Sequence, residues 1–319
     1  MNRWRAWAQL FRVPNTFTSC ADVLAGMCIV GGASHSIVVH PASAIVGSLA
    51  SIAMYWAGMA LNDVFDVEED TRNNRPGPLV TGAIPRAQAG RAVWLLFILG
   101  VILASFAAYL MSDSGDTWKQ AMPARIVAVV LAVSICLYDG PLKSTPLAPA
   151  VMGLCRALNM GLGMASVAGG LQLPMPNHAW MILVGHGLYI TGVTIAARKE
   201  SDLAQSRPRL IAGWGVSVLG LACIALCGLV FPVQGVHLAS PWAFPVLIVV
   251  LMMPWARHAL ESISSLQPPK LGMAIVQAIV SILFLDAALG LQYAGQAPGL
   301  WICALALPTW WLGKRFRST

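Results

Sequence analysis

Runs of about 20 apolar residues recur along this chain from near its N-terminus to near its C-terminus. Each run is long enough to cross the roughly 30 Å hydrocarbon layer of a membrane as an α-helix. Of the 319 residues, 57% are hydrophobic and only 10% are charged, so a water-soluble domain would lack the polar residues to cover its surface. The runs are continuous rather than alternating, which favours helices over a barrel. The sequence therefore predicts an all-α, polytopic transmembrane helix bundle forming a single integral-membrane domain, residues 1–319.

The apolar runs predict ten spans, with nine as the alternative because several are short and the last contains Pro308. The predicted spans are residues 17–34, 43–62, 90–111, 124–138, 146–169, 179–198, 210–231, 242–256, 272–291 and 297–312. Basic residues gather in the loops on one side of these spans. The positive-inside rule then predicts a multi-pass protein of the inner (cytoplasmic) membrane with a cytoplasmic N-terminus, and it favours an even number of crossings.

The charge, the cysteines and the N-terminal segment argue against nucleic-acid binding, cysteine metal sites and a cleaved signal peptide. The net charge of +7 comes from basic residues spread among short loops, so we expect no nucleic-acid partner. The seven cysteines are scattered without CxxC pairs, which indicates packing residues. The first 15 residues are expected to form an amphipathic segment rather than a cleaved signal peptide.

Five of the thirteen acidic residues stand in one run after the second predicted span, LNDVFDVEEDTRNNRP. If the helix continues through this run, Asp63, Asp66 and Asp70 share one face at i, i+3 and i+7, with Asn62 beside them. Carboxylates that repel one another near a low-dielectric region need a cation, and hard oxygen donors suit Mg²⁺. The alternative is a solvated helix end whose charges merely stop the span.

Arginines follow the acidic run at once, at positions 72, 75, 86 and 91. Guanidinium groups there would meet phosphate oxygens that a metal leaves uncovered, which predicts Arg72 and Arg75 as diphosphate-binding residues. Local ion pairing is the alternative, for Arg86 and Arg91 in particular.

These motifs resemble the UbiA superfamily of membrane prenyltransferases. NDVFDVEED matches the family's NDxxDxxxD signature, and NNRPGPLVTGAIPRAQA is similar to the segment that follows it. RVPNTFTSCADVLAG at residues 12–26 is similar to the start of the family's first helix, and YDGPLK at 138–143 resembles its Tyr…Lys element. The motifs occur in the family's order and cover most of the chain.

The resemblance implies a bundle of usually nine spans, with a cavity that opens to lipid and is capped by cytoplasmic loops at residues 63–89 and 199–209. It implies Mg²⁺-dependent transfer of an isoprenyl group from a prenyl diphosphate to an aromatic or other lipophilic acceptor. Asn62, Asp63, Asp66 and Asp70 would hold Mg²⁺–diphosphate. Arg75 and Lys143 would contact phosphate, with Asp63, Asp66 and Lys143 as the catalytic residues, and Tyr138 would shape the cavity.

The chain departs from the family after its sixth predicted span, where a second aspartate motif is usual and TIAARKESDLAQSRPRL stands instead. Glu200 and Asp202 are the candidate ligands of a second metal, but an i, i+2 spacing points them about 200° apart on a helix. Arg198 and Lys199 are candidates to replace part of that metal's role, with local pairing to Asp202 as the alternative. This variation is typical of less-characterised UbiA-like branches, such as that of bacterial ebo gene clusters.

Several polar residues lie inside the predicted spans. Arg156 and Asn159 stand at i, i+3 in the fifth span, where a charge is expected to face the bundle interior or a wet cavity, so both are predicted pocket residues. Asp22 and Asp286 invite the same interpretation, or are buried partners of Arg156. His186 is expected to pack as a neutral imidazole, because no second His or Cys stands at ligand spacing.

Two alternatives to the transferase remain open. The weakened second motif would also fit a catalytically reduced UbiA-like protein in isoprenoid or lipid binding or transport. A diphosphate-using cyclase would share the metal site and differ in the acceptor. The acceptor, the prenyl chain length and the oligomeric state stay open at this stage.

Overall fold

The computed structural model describes residues 3–35, 38–112, 117–170, 173–198 and 207–316, and within these ranges all longer regular elements are helices. A single 3₁₀ turn, Val13–Asn15, precedes the second helix. The helices are α1 (Arg3–Leu10), α2 (Thr16–Gly31), α3 (Pro41–Arg72), α4 (Arg86–Leu110), α5 (Thr117–Gln120), α6 (Met122–Asp139), α7 (Ala148–Gly170), α8 (Asn177–Ala197), α9 (Arg207–Val230), α10 (Ala243–Ser265), α11 (Pro268–Ala294), α12 (Gln296–Ala304) and α13 (Ala306–Phe316).

Nine segments of the described chain are helical, long and apolar enough to cross a membrane. They are built on α2, α3, α4, α6, α7, α8, α9, α10 and α11, and they coincide with nine of the ten predicted spans. The prediction of an all-α transmembrane bundle is confirmed.

The prediction of a tenth continuous span over 297–312 is wrong. That run forms two short helices, α12 and α13, which meet at Leu305. Pro308 has no N–H to bond the carbonyl of Ala304, which weakens a continuous helix at this point, whereas proline is tolerated in the first turn of α13. Helix α13 packs against Val13–Asn15, so the chain still returns toward the end of the bundle where α2 begins.

Helix α3 is longer than the predicted second span, because it continues through the acidic run to Arg72. The connection to α4 is therefore residues 73–85 rather than the 63–89 predicted. Of the second predicted loop, 199–209, residues 199–206 lie outside the described chain and α9 begins at Arg207.

The spans form a ring in which each packs against the next along the chain, and α11 closes the ring against α2. Helix α2 also packs against α7 across the interior, and it is the most deeply buried span. The polar residues of α2 and α7 consequently face protein rather than lipid.

Glycines permit the close crossing of α2 and α7. A Cβ atom on Gly163 would lie 2.0 Å from the carbonyl oxygen of Val23, and one on Gly26 would lie 2.1 Å from that of Met160. Small residues that let helix backbones approach are a common basis of packing in membranes, where apolar burial against lipid gives little advantage. This crossing brings the neighbours of Val23 and Met160, Asp22 and Asn159, into contact.

We expect Gly163→Ala to destabilise the protein by about 1–3 kcal/mol, because the added methyl group forces α2 and α7 apart. Thermal unfolding in detergent should show a lowered Tm. Gly215→Ala in α9 is the matched control, since nothing lies within 4 Å of a Cβ atom there. An unchanged Tm for Gly163→Ala would show that the crossing can relax without loss.

Candidate active site

The C-terminal end of α3 carries four oxygen-bearing side chains on one face, Asn62, Asp63, Asp66 and Asp70, called the aspartate face below. The unbroken helix to Arg72 creates this face, as the spacing predicts. The amide Nδ2 of Asn62 donates a hydrogen bond to Oδ2 of Asp66 at 3.1 Å. The three carboxylates are 22–28% exposed, so they are partly withdrawn from water without being sealed off.

Each carboxylate of the aspartate face has a cationic partner from a different part of the chain. Lys143, in the connection after α6, donates from Nζ to Oδ1 of Asn62 at 3.0 Å and contacts the carboxylate of Asp66. The other two ion pairs are Arg12 Nη2 with Asp63 Oδ1 at 3.4 Å and Arg75 Nη1 with Asp70 Oδ1 at 3.9 Å. The site therefore combines negative oxygen donors with mobile positive groups.

Sequence reasoning missed Arg12 and Asp139 as members of this site. Arg12 has a φ of 46°, an uncommon conformation for a non-glycine residue, at the turn between α1 and α2. Asp139 is 5% exposed and interacts electrostatically with Lys143 and Asp66. The available signals were two segments: RVPN, which was related only to the start of the first helix, and YDGPLK, which was assigned to the site through Tyr138 and Lys143.

Tyr138 and Arg198 lie on the Lys143 side of the site. Tyr138 is within electrostatic range of Arg12 and Arg198. Nη2 of Arg198 donates to the carbonyl oxygen of Ser144 at 3.3 Å, which ties the end of α8 to the connection that carries Lys143.

Arg72 is not brought to the aspartate face. Its Nε donates to the carbonyl oxygen of Glu68 at 3.3 Å, so it satisfies the last turn of its own helix instead. Arg86 pairs with the Glu68 carboxylate at 3.2 Å, and Arg91 donates to the carbonyl oxygen of Ala87. Of these three arginines, only Arg86 forms the ion pair of the local alternative, and the other two bond backbone carbonyls of their own helices.

Arg156 and Asn159 lie deeper in the bundle. Ser51 on α3 donates to Oδ1 of Asn159 at 2.8 Å, and Ser51 precedes Asp63 by twelve residues, or about 18 Å of helix. Arg156 Nη1 lies 3.2 Å from Oδ2 of Asp22, the buried partnership that the sequence left as an alternative. Neither residue joins the aspartate face. The predicted second-motif residues Lys199, Glu200 and Asp202 fall outside the described part of the chain.

The model of the UbiA prenyltransferase family matches residues 22–270 of this chain, which include the aspartate face. This chain belongs to the UbiA prenyltransferase family. Its narrower resemblance to the ebo branch stays a prediction.

Curated relatives of this UbiA-family chain include two archaeal proteins named digeranylgeranylglyceryl phosphate synthase. That of Methanobrevibacter smithii is 36% identical over 102 residues, which is 31% of this chain and 33% of the relative. That of Ignicoccus hospitalis is 29% identical over 166 residues, which is 48% of this chain and 52% of the relative. The chain thus spans between a third and about half the length of the curated relatives it matches.

Solved structures of UbiA homologues share the fold over nearly their whole length. A structure from work on a digeranylgeranylglyceryl phosphate synthase in membranes matches with a TM-score of 0.64 and 16% identity, covering 93% of this chain and 100% of that chain. A UbiA homologue from Archaeoglobus fulgidus bound to DMAPP and Mg²⁺ matches with a TM-score of 0.58 and 13% identity, covering 94% and 99%. At these identities the likeness shows the fold.

The donor set of the aspartate face fits a hard divalent cation. Carboxylate and amide oxygens are the ligands that Mg²⁺ prefers, and Mg²⁺ commonly shares its coordination sphere with substrate phosphates. The carboxylates are held at present by the flexible side chains of Lys143, Arg12 and Arg75, which are 35–72% exposed. These cations can turn to phosphate oxygens when a metal takes over the carboxylates.

We expect Lys143→Met to increase the rise in Tm that Mg²⁺ produces in the absence of substrate, because Asp66 loses its ammonium partner and the face becomes more negative. Asp66→Asn should abolish most of that rise. The measurement is thermal unfolding in detergent across a Mg²⁺ titration. Lys270→Met is the control, since Lys270 pairs with Glu261 elsewhere at 3.2 Å. A Mg²⁺ response that is equal in all four proteins would argue against a metal at this face.

Proposed function

We propose that this UbiA-family protein is a membrane prenyltransferase that moves an isoprenyl group from a prenyl diphosphate to a lipophilic acceptor with the help of Mg²⁺. The observation that carries the proposal is the aspartate face, where three carboxylates and an amide share one side of α3 and meet cations from three other segments. The Mg²⁺-bound and DMAPP-bound homologue from A. fulgidus supports the same interpretation.

The side chains of this chain have separate roles in the proposal. Asn62, Asp63, Asp66 and Asp70 would hold Mg²⁺ with the diphosphate, and the ion would supply neutralisation of the negative charge on the departing group. Lys143 and Arg75 bind phosphate oxygens with charge-assisted hydrogen bonds. Arg12 adds a third cation that sequence analysis did not include. Glu200 and Asp202 are proposed ligands of a second ion.

The reaction breaks the bond between the first prenyl carbon and the diphosphate oxygen, and the electron pair leaves with the diphosphate. The acceptor supplies the electron pair of the new bond and loses a proton. The allylic cation between these events requires a cavity without water and is stabilised by aromatic faces. Tyr55 interacts electrostatically with both Arg12 and Arg156. It therefore lies between the aspartate face and the deeper interior, a position that suits this role.

The acceptor is the least constrained part of the proposal. The relatives' name, digeranylgeranylglyceryl phosphate synthase, makes a prenylated glyceryl phosphate the first acceptor to test, beside aromatic acceptors. The binding or transport alternative is not favoured, because a diphosphate explains both the intact aspartate face and Lys143, whereas lipid binding requires neither.

The orientation in the membrane follows from the distribution of charge. Arg75, Lys143, Arg198 and Lys270 all stand at helix ends on the side of the aspartate face. The positive-inside rule then places this end, and with it the N-terminus, in the cytoplasm of the cell, with the bundle in the inner (cytoplasmic) membrane.

We expect purified protein with Mg²⁺ to release diphosphate from a labelled prenyl diphosphate when an acceptor is present. Asp66→Asn should reduce kcat/KM by about 100-fold or more, the usual size of the loss when charge stabilisation at the reacting centre is removed. Glu68→Gln is the matched control on the same helix, because Glu68 is 76% exposed and pairs only with Arg86 among the described ion pairs. The measurement is product formation and diphosphate release with and without Mg²⁺.

Magnesium-independent movement of a prenyl lipid across vesicles, with no diphosphate released from any donor, would overturn the transferase and favour transport. Equal losses in Asp66→Asn and Glu68→Gln would show that general acidity, and not the aspartate face, supports activity.

A further inference from the structure

A second group of ionisable side chains lies inside the bundle, away from the aspartate face. Asp22 on α2, His186 on α8 and Asp286 on α11 are all fully buried. One ligand atom from each lies within 4.8 Å of the others. Three helices that are distant in sequence therefore deliver two carboxylates and an imidazole to one point in the membrane interior.

The polar atoms of this group lack ordinary partners. Both carboxylate oxygens of Asp286 and both ring nitrogens of His186 are buried without a hydrogen bond to any described residue, and so is Oδ1 of Asp22. Nε2 of His186 lies 3.3 Å from that Oδ1 without hydrogen-bonding geometry. Buried polar groups are almost always satisfied, because leaving one unpaired costs about 1–3 kcal/mol. Because one such atom from each residue lies within 4.8 Å of the others, a single ion between them would give all three residues a partner.

The other oxygen of Asp22 is firmly held. Its Oδ2 accepts a hydrogen bond from Asn159 Nδ2 at 2.9 Å and pairs with Arg156 Nη1 at 3.2 Å. Asn159 also donates to the carbonyl oxygen of Ser19 at 2.8 Å and accepts from Ser51 at 2.8 Å. Supporting hydrogen bonds of this kind fix the orientation of a metal-binding carboxylate.

The charges leave a place for a further cation. Asp22 and Asp286 carry two negative charges when ionised, and Arg156 supplies one positive charge. The remaining negative charge is costly in a hydrocarbon interior. A proton shared by the two carboxyl groups would also neutralise it, whereas a metal ion would in addition take one ring nitrogen of His186 as a ligand. One anionic oxygen ligand, such as hydroxide, would balance the extra charge of a divalent ion.

We propose that Asp22, His186 and Asp286 bind a divalent transition-metal ion that joins α2, α8 and α11. Two oxygens and one imidazole nitrogen suit Mn²⁺, Fe²⁺, Co²⁺ or Zn²⁺, while the all-oxygen aspartate face suits Mg²⁺. The site lies where α11 closes the ring against α2. Ser51, which bonds its supporting residue Asn159, is about 18 Å of helix away from Asp63. The site is distinct from the aspartate face.

The test uses tag-free, full-length protein in detergent, treated with a chelator and then dialysed against Co²⁺ in excess Mg²⁺. We expect about one equivalent of retained Co²⁺ by elemental analysis, with a visible absorption band of a nitrogen-containing site. Asp286→Asn and His186→Gln should weaken Co²⁺ binding by at least about 100-fold, beyond the 10–100-fold typical of supporting residues. Asp66→Asn should retain the ion and its spectrum.

His178→Gln is the matched control, because His178 is also buried on α8 but stacks on Tyr293 and faces the carbonyl oxygen of Ile29. Circular dichroism establishes that each variant is folded. If the variants do not fold, the test is the visible spectrum of Co²⁺ bound to the wild-type protein. A spectrum without a nitrogen ligand would overturn the proposal. The proposal would likewise be overturned if the protein retained no Co²⁺. It would also be overturned if Asp66→Asn lost the ion while Asp286→Asn kept it.

Discussion

Compensation of negative charge inside a low-dielectric bundle is the constraint on which the arrangement of this protein depends. A carboxylate in a membrane span is costly unless a cation or hydrogen-bond donors reach it. Such partners come from distant segments, so each pair also fixes which helix ends meet. Pairs that join distant segments in this way include Arg12 with Asp63, Lys143 with Asp66 and Arg156 with Asp22.

Carboxylate charge is compensated in different ways at two depths of the bundle. At the end of α3 the carboxylates are partly exposed, their partners are flexible, and the cations are able to move to an incoming anion. In the interior the partners are themselves largely buried. Asn159 and Arg156 both hold the same oxygen of Asp22, its Oδ2. The close crossing of α2 and α7 is what makes the inner arrangement possible, since Gly26 and Gly163 allow the backbones to approach.

Much of the site was predictable because it depends on local periodicity. The helical spacing of Asp63, Asp66 and Asp70 defines a face as soon as the helix continues, and it does. Arg12 and Asp139 were missed because their roles depend on contacts across elements, which spacing does not encode. The hydrogen bond of Arg72 within its own helix was missed for the same reason: a basic residue beside a helix end has its own carbonyls within reach, and only the structure shows which partner it takes.

The sequence by itself determined the solvent, the class of fold and nine of the spans, because hydrophobic length along a chain is a one-dimensional property that the membrane imposes. It also determined the aspartate face, which lies within one helix. Tertiary structure alone decided the pairing of the carboxylates with cations from other elements, and the meeting of Asp22, His186 and Asp286. Those outcomes depend on which helices become neighbours, and interactions across a folded bundle leave no fixed spacing in the chain.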